Sequence, residues 1–232
     1  MKKRSKRYEK AAAMVTAGKV YSLEEATELV RKMPTTKFNQ TISLSFRLSV
    51  DPKRSEQMVR GTCPLPHGSG KTVRVLVFAQ GNAAESARAA GAEFVGYEDL
   101  IAKIKDGFLD FDTAIATPEA MTEVRKLGKQ LGPRGLMPNP RTGTVTDDPA
   151  AAVKAVKAGR AEFKLDKNGN IAAGVGKASF EVNQLLDNAT SLIEALIRAR
   201  PPAAKGRFIE SCTLASTMSP GLPVDVSKFL KF

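Results

Sequence analysis

Hydrophobic and polar residues alternate strictly along residues 41–50, with aliphatic and aromatic side chains on one parity and hydroxyls with Arg47 on the other. A period of two residues predicts a strand with one buried and one solvated face. Residues 161–166 and 171–175 flank Lys-Asn-Gly-Asn, a turn signal that predicts a hairpin. Residues 207–217 predict a last strand. Together these segments predict an antiparallel sheet.

Helical periodicity lies on both sides of these strands. Apolar residues recur at helical spacing from Val182 to Ile197, and a further helix is predicted over residues 6–17. Ser22 and Glu25 form a capping-box pattern that opens another helix, which Pro34 ends. Antiparallel strands with helices on one face predict an α+β domain.

The middle of the chain follows a different pattern. Residues 73–79 form a short, continuous apolar run, which is typical of a strand buried on both faces. Short strands are also predicted at 93–96 and 113–117, and helices at 83–90, 98–105 and 118–131. Strands that alternate with helices predict βαβ units and a parallel sheet. The sequence therefore predicts an α/β, Rossmann-like domain of residues 67–159, inserted into an α+β domain of residues 1–66 and 160–232.

The chain is strongly basic, and its charge is uneven. It carries 36 Lys and Arg against 24 Asp and Glu, a net charge of +12, and its isoelectric point is near 9.8. A value above about 9 is typical of nucleic-acid-binding domains. Residues 1–66 carry +8 and residues 160–232 carry +3, whereas residues 67–159 carry only +1. We therefore expect nucleic acid to bind the outer domain. Its basic candidates are Lys37, Arg47, Lys53, Arg54, Arg60, Lys164, Lys167 and Lys177.

Two further features of the outer domain favour RNA. Phe38 follows Lys37 and could stack on a base, or it could be a core residue at the end of a strand. Ser211, Thr213 and Thr217 share one parity of the last strand. Their hydroxyls would meet phosphates or 2′-hydroxyls, or they would line an ordinary solvated strand face.

Composition excludes several other classes of protein. Hydrophobic residues make up 42% of the chain, enough for a packed core, which excludes wholesale disorder. No apolar run approaches the roughly 18 residues of a membrane helix. The basic first ten residues are not followed by a signal-peptide core. We expect a soluble protein that is not secreted and binds no membrane.

The segment from Leu65 to Thr72 ends like a phosphate loop and raises the alternative of a nucleotide hydrolase that rests on Gly70-Lys71-Thr72. The motif fails at its first glycine position, which holds Leu65. It also fails because a phosphate loop leads into a helix, whereas residues 73–79 predict a strand. We interpret the segment as a glycine-rich hinge into the inserted domain.

The residue types that build metal and nucleophilic sites are scarce. His67 is the only histidine in the sequence, and without a carboxylate or nucleophile nearby it is expected to be structural or at the surface. Cys63 and Cys212 fall on predicted strands and are expected to be small buried residues. We therefore predict no catalytic site, no metal and no cofactor.

The segment of residues 132–143 contains three prolines and three glycines, which excludes regular structure. Such a rigid basic loop is either a connector or a docking surface. Composition alone favours the connector.

Four motifs, in a fixed order along the chain, resemble one family. They are Arg60-Gly-Thr-Cys-Pro-Leu-Pro-His-Gly-Ser-Gly-Lys71, Gly132-Pro-Arg-Gly-Leu-Met-Pro-Asn-Pro-Arg-Thr-Gly-Thr-Val145, Val175-Gly-Lys-Ala-Ser-Phe180 and Thr217-Met218. Together with Lys37-Phe38 and Val50-Asp-Pro-Lys-Arg-Ser55, they resemble the bacterial-type family of large-subunit ribosomal protein one, the stalk protein. The resemblance covers essentially the whole chain.

The resemblance implies a two-domain protein, one domain inserted in the other, that is not an enzyme and needs no cofactor. The first domain would bind large-subunit ribosomal RNA in the mobile stalk beside the exit site, where the stalk helps to move and release deacylated tRNA. The same surface would bind the protein's own messenger leader and repress its translation. We expect a cytoplasmic monomer when free of the ribosome, of bacterial or organelle origin. A translational regulator that does not reside on the ribosome is a third, weaker alternative.

The family's RNA contacts, carried onto this chain, define the predicted site. Arg134 and Arg141 in the loop of residues 132–143 are expected to face tRNA or the wider stalk. The family has glycine after Thr-Met, whereas this chain has Ser219, which would crowd the RNA or add a hydroxyl contact. Residues 222–232 do not resemble the family's tail, and no role is assigned to them. The predicted contacts are Lys37, Phe38, Thr41, Asp166, Lys167, Ser211, Thr217 and Met218.

Overall fold

The structure, a computed structural model, describes residues 4–34, 36–204 and 206–229, without the side chain of Arg141. The chain divides into two compact units. Met1–Gly70 and Ala161–Phe232 form the larger unit, and Lys71–Arg160 form the smaller one. The larger unit contains an antiparallel sheet with helices, and the smaller unit contains a parallel sheet. This arrangement confirms the predicted fold class.

The helices and strands follow one another in this order. Before and within the smaller unit they are α1 (Lys6–Ala13), α2 (Leu23–Lys32), β1 (Thr41–Leu48), β2 (Arg60–Pro64), β3 (Val75–Phe78), α3 (Gly81–Ala89), β4 (Phe94–Gly96), α4 (Glu98–Lys105), β5 (Thr113–Ala116), α5 (Met121–Val124), α6 (Gly128–Leu131) and α7 (Pro149–Ala158). After it they are β6 (Arg160–Lys164), β7 (Asn170–Lys177), α8 (Val182–Arg198), β8 (Ile209–Ser216) and β9 (Leu222–Val224).

The main sheet of the larger unit has the strand order β7-β1-β8-β9, with every neighbouring pair antiparallel. The predicted alternation in β1 is confirmed, because Ile42, Leu44 and Phe46 are at most 1% exposed. These side chains join one core with apolar residues of α2 and α8, such as Val30 and Leu192. Burying each such side chain stabilises the fold by about 1.5–3 kcal/mol. Because α2 and α8 pack against this face, the opposite face of the sheet remains open.

The predicted hairpin is wrong in its pairing. The chain reverses over residues 166–170, but β6 pairs with β2, whereas β7 pairs with β1. The turn is held by Asp166, whose backbone N–H donates to the carbonyl of Asn170 at 2.9 Å. Gly169 has φ +80°, and a Cβ there would lie 3.3 Å from the carbonyl oxygen of Leu48. The Asn-Gly signal therefore identified a turn that passes from one sheet to another.

Other departures from the sequence prediction concern the ends and continuity of elements. The helix expected over residues 6–17 ends at Ala13, and the helix expected over residues 118–131 is split into α5, a 3₁₀ turn and α6. Helix α7 was not predicted, although Asp148 caps it and Pro149 occupies its first turn. Strand β9 lies in the segment to which no role was assigned, and it completes the edge of the main sheet.

The sheet of the smaller unit has the parallel order β4-β3-β5. All four residues of β3 are fully buried, as expected for a central strand with helices on both faces. One core cluster joins Leu76 to α4 and α5, and another joins Val75 to α3 and α7. Each cluster consists of residues from the smaller unit alone.

None of the helices in the described ranges combines the length and the apolar character needed to cross a membrane.

Candidate nucleic-acid interface

The open face of the main sheet carries small and hydroxyl-bearing side chains. Register pairs Ser45 with Ala172 on β7 and with Thr213 on β8, so these three side chains lie side by side across the strands. A surface of this kind is flat and lets another backbone approach closely. We call it the hydroxyl face, and it comprises Thr41, Ser43, Ser45, Ala172, Gly174, Ser211, Thr213 and Ala215.

One end of the hydroxyl face brings together most of the predicted contacts. Lys37 and Phe38 precede β1, whereas Thr217 and Met218 follow β8, and the antiparallel register places these two segments side by side. Phe38 and Met218 are each 50% exposed. The sequence had left Phe38 between a core and a surface position, and the structure places it at the surface. We call this group, with Thr41, the Phe38 end.

Thr41 and Thr217 are joined by three hydrogen bonds. The N–H of Thr41 donates to Oγ1 of Thr217 at 3.1 Å, and the hydroxyl of Thr217 donates to the carbonyl of Thr41 at 3.2 Å. The backbone N–H of Thr217 donates to the same carbonyl at 3.1 Å. The Lys177 ammonium donates to Oγ1 of Thr41 at 2.8 Å. The Thr217 hydroxyl therefore continues the strand ladder by one residue and keeps the Phe38 end ordered.

Gln40 is an organising residue that sequence reasoning missed. Its side chain is 4% exposed, and its Oε1 accepts from the N–H of Met218 at 3.0 Å and from the hydroxyl of Ser216 at 3.1 Å. Its backbone carbonyl accepts from the N–H of Ala178 at 2.8 Å. Gln40 thereby fixes the turn that carries Met218. The only sign of this role in the sequence was that a polar residue stands directly before β1, at a position with the same parity as the buried residues of the strand.

Ser219 closes the same turn. Its hydroxyl accepts from the N–H of Ser216 at 2.9 Å and donates to the carbonyl of Pro220 at 2.9 Å. The side chain is partly buried. In this structure the hydroxyl thus bonds to the backbone of its own turn.

The other end of the face holds the remaining predicted contacts, Asp166, Lys167 and Ser211, with Arg47 between them. Register pairs Arg47 with Asn170 on one side and with Ser211 on the other. The Arg47 guanidinium donates to Glu210 at 2.9 Å. We call this group the Asp166 end.

Asp166 serves the turn that presents Lys167. Its Oδ1 accepts from the N–H of Asn170 at 2.7 Å and of Asn168 at 2.8 Å. These bonds, that from Asn170 foremost, hold the pKa of Asp166 below its usual value. The carboxylate is therefore ionised at neutral pH and engaged with its own turn, while Lys167 is exposed at the tip.

The two ends are well separated along β1. Arg47 is six positions after Thr41 along the strand, which at about 3.4 Å per residue corresponds to roughly 20 Å. The predicted contacts therefore form two groups joined by the hydroxyl face.

The loop of residues 132–143 is ordered by its own hydroxyls. The Thr142 hydroxyl donates to the carbonyl of Asn139 at 3.0 Å, and Oγ1 of Thr144 accepts from the N–H of Asn139 at 2.7 Å. Both threonines are buried. Arg134 is exposed, whereas the side chain of Arg141 lies outside the described part of the structure.

The resemblance to a phosphate loop finds no support in the geometry. The residues after Lys71 lead into β3, as predicted, and no helix begins there. The Lys71 ammonium donates to Asp112 at 2.8 Å, and the N–H of Arg74 donates to the same carboxylate at 3.1 Å. These hydrogen bonds, above all the one from Lys71, lower the pKa of Asp112. Lys71 is thus an ion-pair partner at the start of the sheet.

The expectation that His67 has no carboxylate partner is wrong. Its Nε2 lies 2.9 Å from Oδ2 of Asp187, and its N–H donates to Oδ1 of Asn188 at 3.0 Å. The pair lies at the surface, with Asp187 supplied by α8, and the long separation of the two residues in the sequence concealed it.

Cys63 and Cys212 are buried, as predicted. Burial raises the pKa of the Cys212 thiol to about 12, so this thiol is not ionised at neutral pH.

No three His, Cys, Asp or Glu side chains within the ranges that the structure covers come together as metal ligands.

Comparison with known proteins gives a consistent result. A model described as the ribosomal protein L1p/L10e family matches residues 30–220. The chain is 52% identical over 223 residues to the large ribosomal subunit protein uL1 of Thermobifida fusca, covering 96% of this chain and 95% of that protein. It is 51% identical over 228 residues to the uL1 protein of Beutenbergia cavernae, covering 98% and 96%. It is 53% identical over 225 residues to that of Paenarthrobacter aurescens, covering 97% and 96%.

Proposed function

Because the chain belongs to the ribosomal protein L1p/L10e family, it is a structural protein of the large ribosomal subunit and not an enzyme, and we propose that it binds ribosomal RNA through the hydroxyl face. The observation that carries the proposal is the Phe38 end. There the exposed ring of Phe38, the exposed thioether of Met218 and Lys37 surround the hydrogen-bonded residues Thr41 and Thr217. Such an ordered, half-apolar surface beside a positive charge suits RNA.

Each part of the face has its own chemical task. The Phe38 ring stacks on an unpaired base, and Met218 packs against the same nucleotide. The small hydroxyl-bearing centre follows the wide, shallow minor groove of an A-form helix, where 2′-hydroxyls are displayed. Lys37 and Lys167 pair with phosphates at the two ends and fix the register of the RNA.

The proposal extends to the stalk of the large subunit and to tRNA. The larger unit holds the stalk RNA beside the exit site, and the smaller unit meets the departing tRNA. Support for this division comes from residues 125–141, which carry five basic and no acidic residues, whereas the rest of the smaller unit has a net charge of −3. Arg134, exposed on an ordered loop, is the contact we assign to tRNA, together with Arg141 from the same loop.

The protein's own messenger leader is the second RNA that we assign to the hydroxyl face. A messenger that presents the same fold of RNA competes with ribosomal RNA for one surface, so free protein represses translation once ribosomal sites are filled. Substitutions at Phe38 therefore weaken the binding of both RNAs in parallel.

The test is a titration of a stalk RNA fragment with variants of the intact chain at several salt concentrations. Phe38→Ala removes a stacking platform and is expected to cost about 1–3 kcal/mol, or roughly fivefold to 150-fold in affinity. Thr217→Ala removes the hydroxyl that orders Thr41, with a loss of similar size.

Lys53→Ala provides the control. Lys53 is exposed and is not one of the predicted RNA contacts. Its loss is expected to change the slope of affinity against salt by no more than about one unit. Equal losses for all three variants would mean that binding is diffuse electrostatics, and the assignment of the face would be wrong.

A further inference from the structure

A groove lies beside the Phe38 end, between the first turn of α1 and the turn that carries Met218. Its volume is about 380 Å³. All of its walls belong to the larger unit, and none of them was among the contacts predicted from sequence except Thr217 and Met218. The lining residues are Arg4, Ser5, Arg7, Tyr8, Thr217, Met218 and Ser219.

Arg7 fixes the position of α1 against this turn. Its guanidinium donates to the carbonyl of Met218 at 2.9 Å and to the carbonyl of Pro34 at 3.4 Å. Pro34 lies in the segment that leads to Phe38. One side chain therefore connects α1 to both segments that form the Phe38 end.

Arg4 and Tyr8 form a second ordered pair in the groove. The Arg4 guanidinium carbon lies 4.9 Å from the centre of the Tyr8 ring, a cation–π contact. Ser5 caps α1 by accepting from the N–H of Tyr8 at 3.3 Å. The guanidinium is thus held over the ring, and Arg4 remains exposed. A held guanidinium presents its N–H edge as a fork, the geometry that matches a phosphate.

Charge points to an anionic occupant. Residues 4–10 contain four basic residues and a single acidic one, Glu9. The groove is also continuous with the proposed RNA surface, because Thr217 and Met218 belong to both. An RNA strand that stacks on Phe38 and passes Met218 arrives directly at Arg4.

We propose that this groove binds one further nucleotide of the same RNA, with its phosphate paired to Arg4 and its sugar against Met218. The inference rests on the proposed function and names a subsite of it. Arg4 is the binding residue, whereas Arg7 is a positioning residue that acts through the Met218 carbonyl.

The experiment compares Arg4→Gln with Lys10→Gln in the intact chain. Lys10 lies on α1, which begins two residues after Arg4, and it carries the same charge but does not line the groove. Arg4→Gln is expected to weaken binding of the stalk RNA fragment about tenfold and to lower the salt slope by about one unit. Lys10→Gln is expected to change affinity less than about twofold, since it removes a surface charge without a contact. Hydroxyl-radical footprinting should show that one protected nucleotide loses its protection in Arg4→Gln alone.

Two further variants keep the outcome decisive. Arg4→Lys retains the charge but loses the fork, so its affinity should fall between those of Arg4→Gln and the unmodified chain. Tyr8→Leu removes the ring that holds Arg4 but keeps the charge, so its affinity should also fall between those of Arg4→Gln and the unmodified chain. Equal effects of Arg4→Gln and Lys10→Gln, with an unchanged footprint, would overturn the subsite. If Phe38→Ala then still weakens binding, only this inference fails. If Phe38→Ala is also without effect, the proposed function fails with it.

Discussion

Replacing Asn188 by alanine is expected to lower the free energy of unfolding of the larger unit by roughly 3–5 kcal/mol. Asn188 lies on α8 and is fully buried. Its Oδ1 accepts from the N–H of His67 at 3.0 Å, and its amide donates to the carbonyls of Gly68 at 3.0 Å and Val175 at 2.8 Å. The bond to Val175 is fully buried and the other two are partly buried, and a buried backbone group that loses its partner costs about 1–3 kcal/mol. One side chain therefore holds the hinge segment, α8 and β7 together.

Asn183→Ala provides the matched control, because it makes the same change on the same helix at an exposed position. It should alter stability by less than about 0.5 kcal/mol. Urea unfolding of both variants gives their midpoints, and a shift of the midpoint at an unchanged m-value reports a change in stability. A loss below about 1 kcal/mol for Asn188→Ala would show that water replaces its hydrogen bonds, and the hinge would then need another anchor.

Replacing Gln40 by leucine is expected to weaken RNA binding roughly fivefold to 150-fold, because the N–H of Met218 loses its buried acceptor at about 1–3 kcal/mol. Leucine has nearly the same volume, so the packing around residue 40 is retained. The turn that carries Met218 loses the bond that fixes it. Gln40→Glu keeps an acceptor oxygen at this position and should recover most of the affinity.

A double-mutant cycle separates positioning from direct contact. If Gln40 acts by placing Met218, then Gln40→Leu should cost much less in a chain that already carries Met218→Ala. Fluorescence anisotropy with the stalk RNA fragment supplies the four affinities, and melting temperatures confirm that each variant is folded. Additive losses would mean that Gln40 acts on the RNA by another route.

The features that the sequence predicted correctly are those that depend on residues close together in the chain. The two-residue period of β1 predicted which side chains would be buried, because register on a half-buried strand is fixed by its apolar parity. The apolar run of β3 predicted a central parallel strand, because a strand covered by helices on both faces is apolar at every position. The Ser22 cap was also readable, and its hydroxyl accepts from the N–H of Glu25 at 3.1 Å.

The features that the sequence concealed depend on contacts between distant residues. Gln40 meets Met218 across 178 positions, and Arg7 meets the same residue across 211. No periodicity within a window reports such pairs.

We propose that the surface that binds ribosomal RNA lies wholly on the larger unit. Every predicted RNA contact on the hydroxyl face belongs to this unit, and its core cluster consists of its own residues alone. We therefore expect the larger unit to fold when residues 71–160 are replaced by a short Gly-Ser linker.

The most direct measurement is the affinity of this excised chain for the stalk RNA fragment, at fixed salt and beside the full chain, once circular dichroism and urea unfolding have shown that it is folded. We expect an affinity within about a hundredfold of the full chain, a difference below about 2.7 kcal/mol. We also expect slow tRNA release on ribosomes that carry the excised chain. A loss well beyond a hundredfold would place a primary contact with ribosomal RNA in residues 71–160 and show that the larger unit does not hold the whole surface.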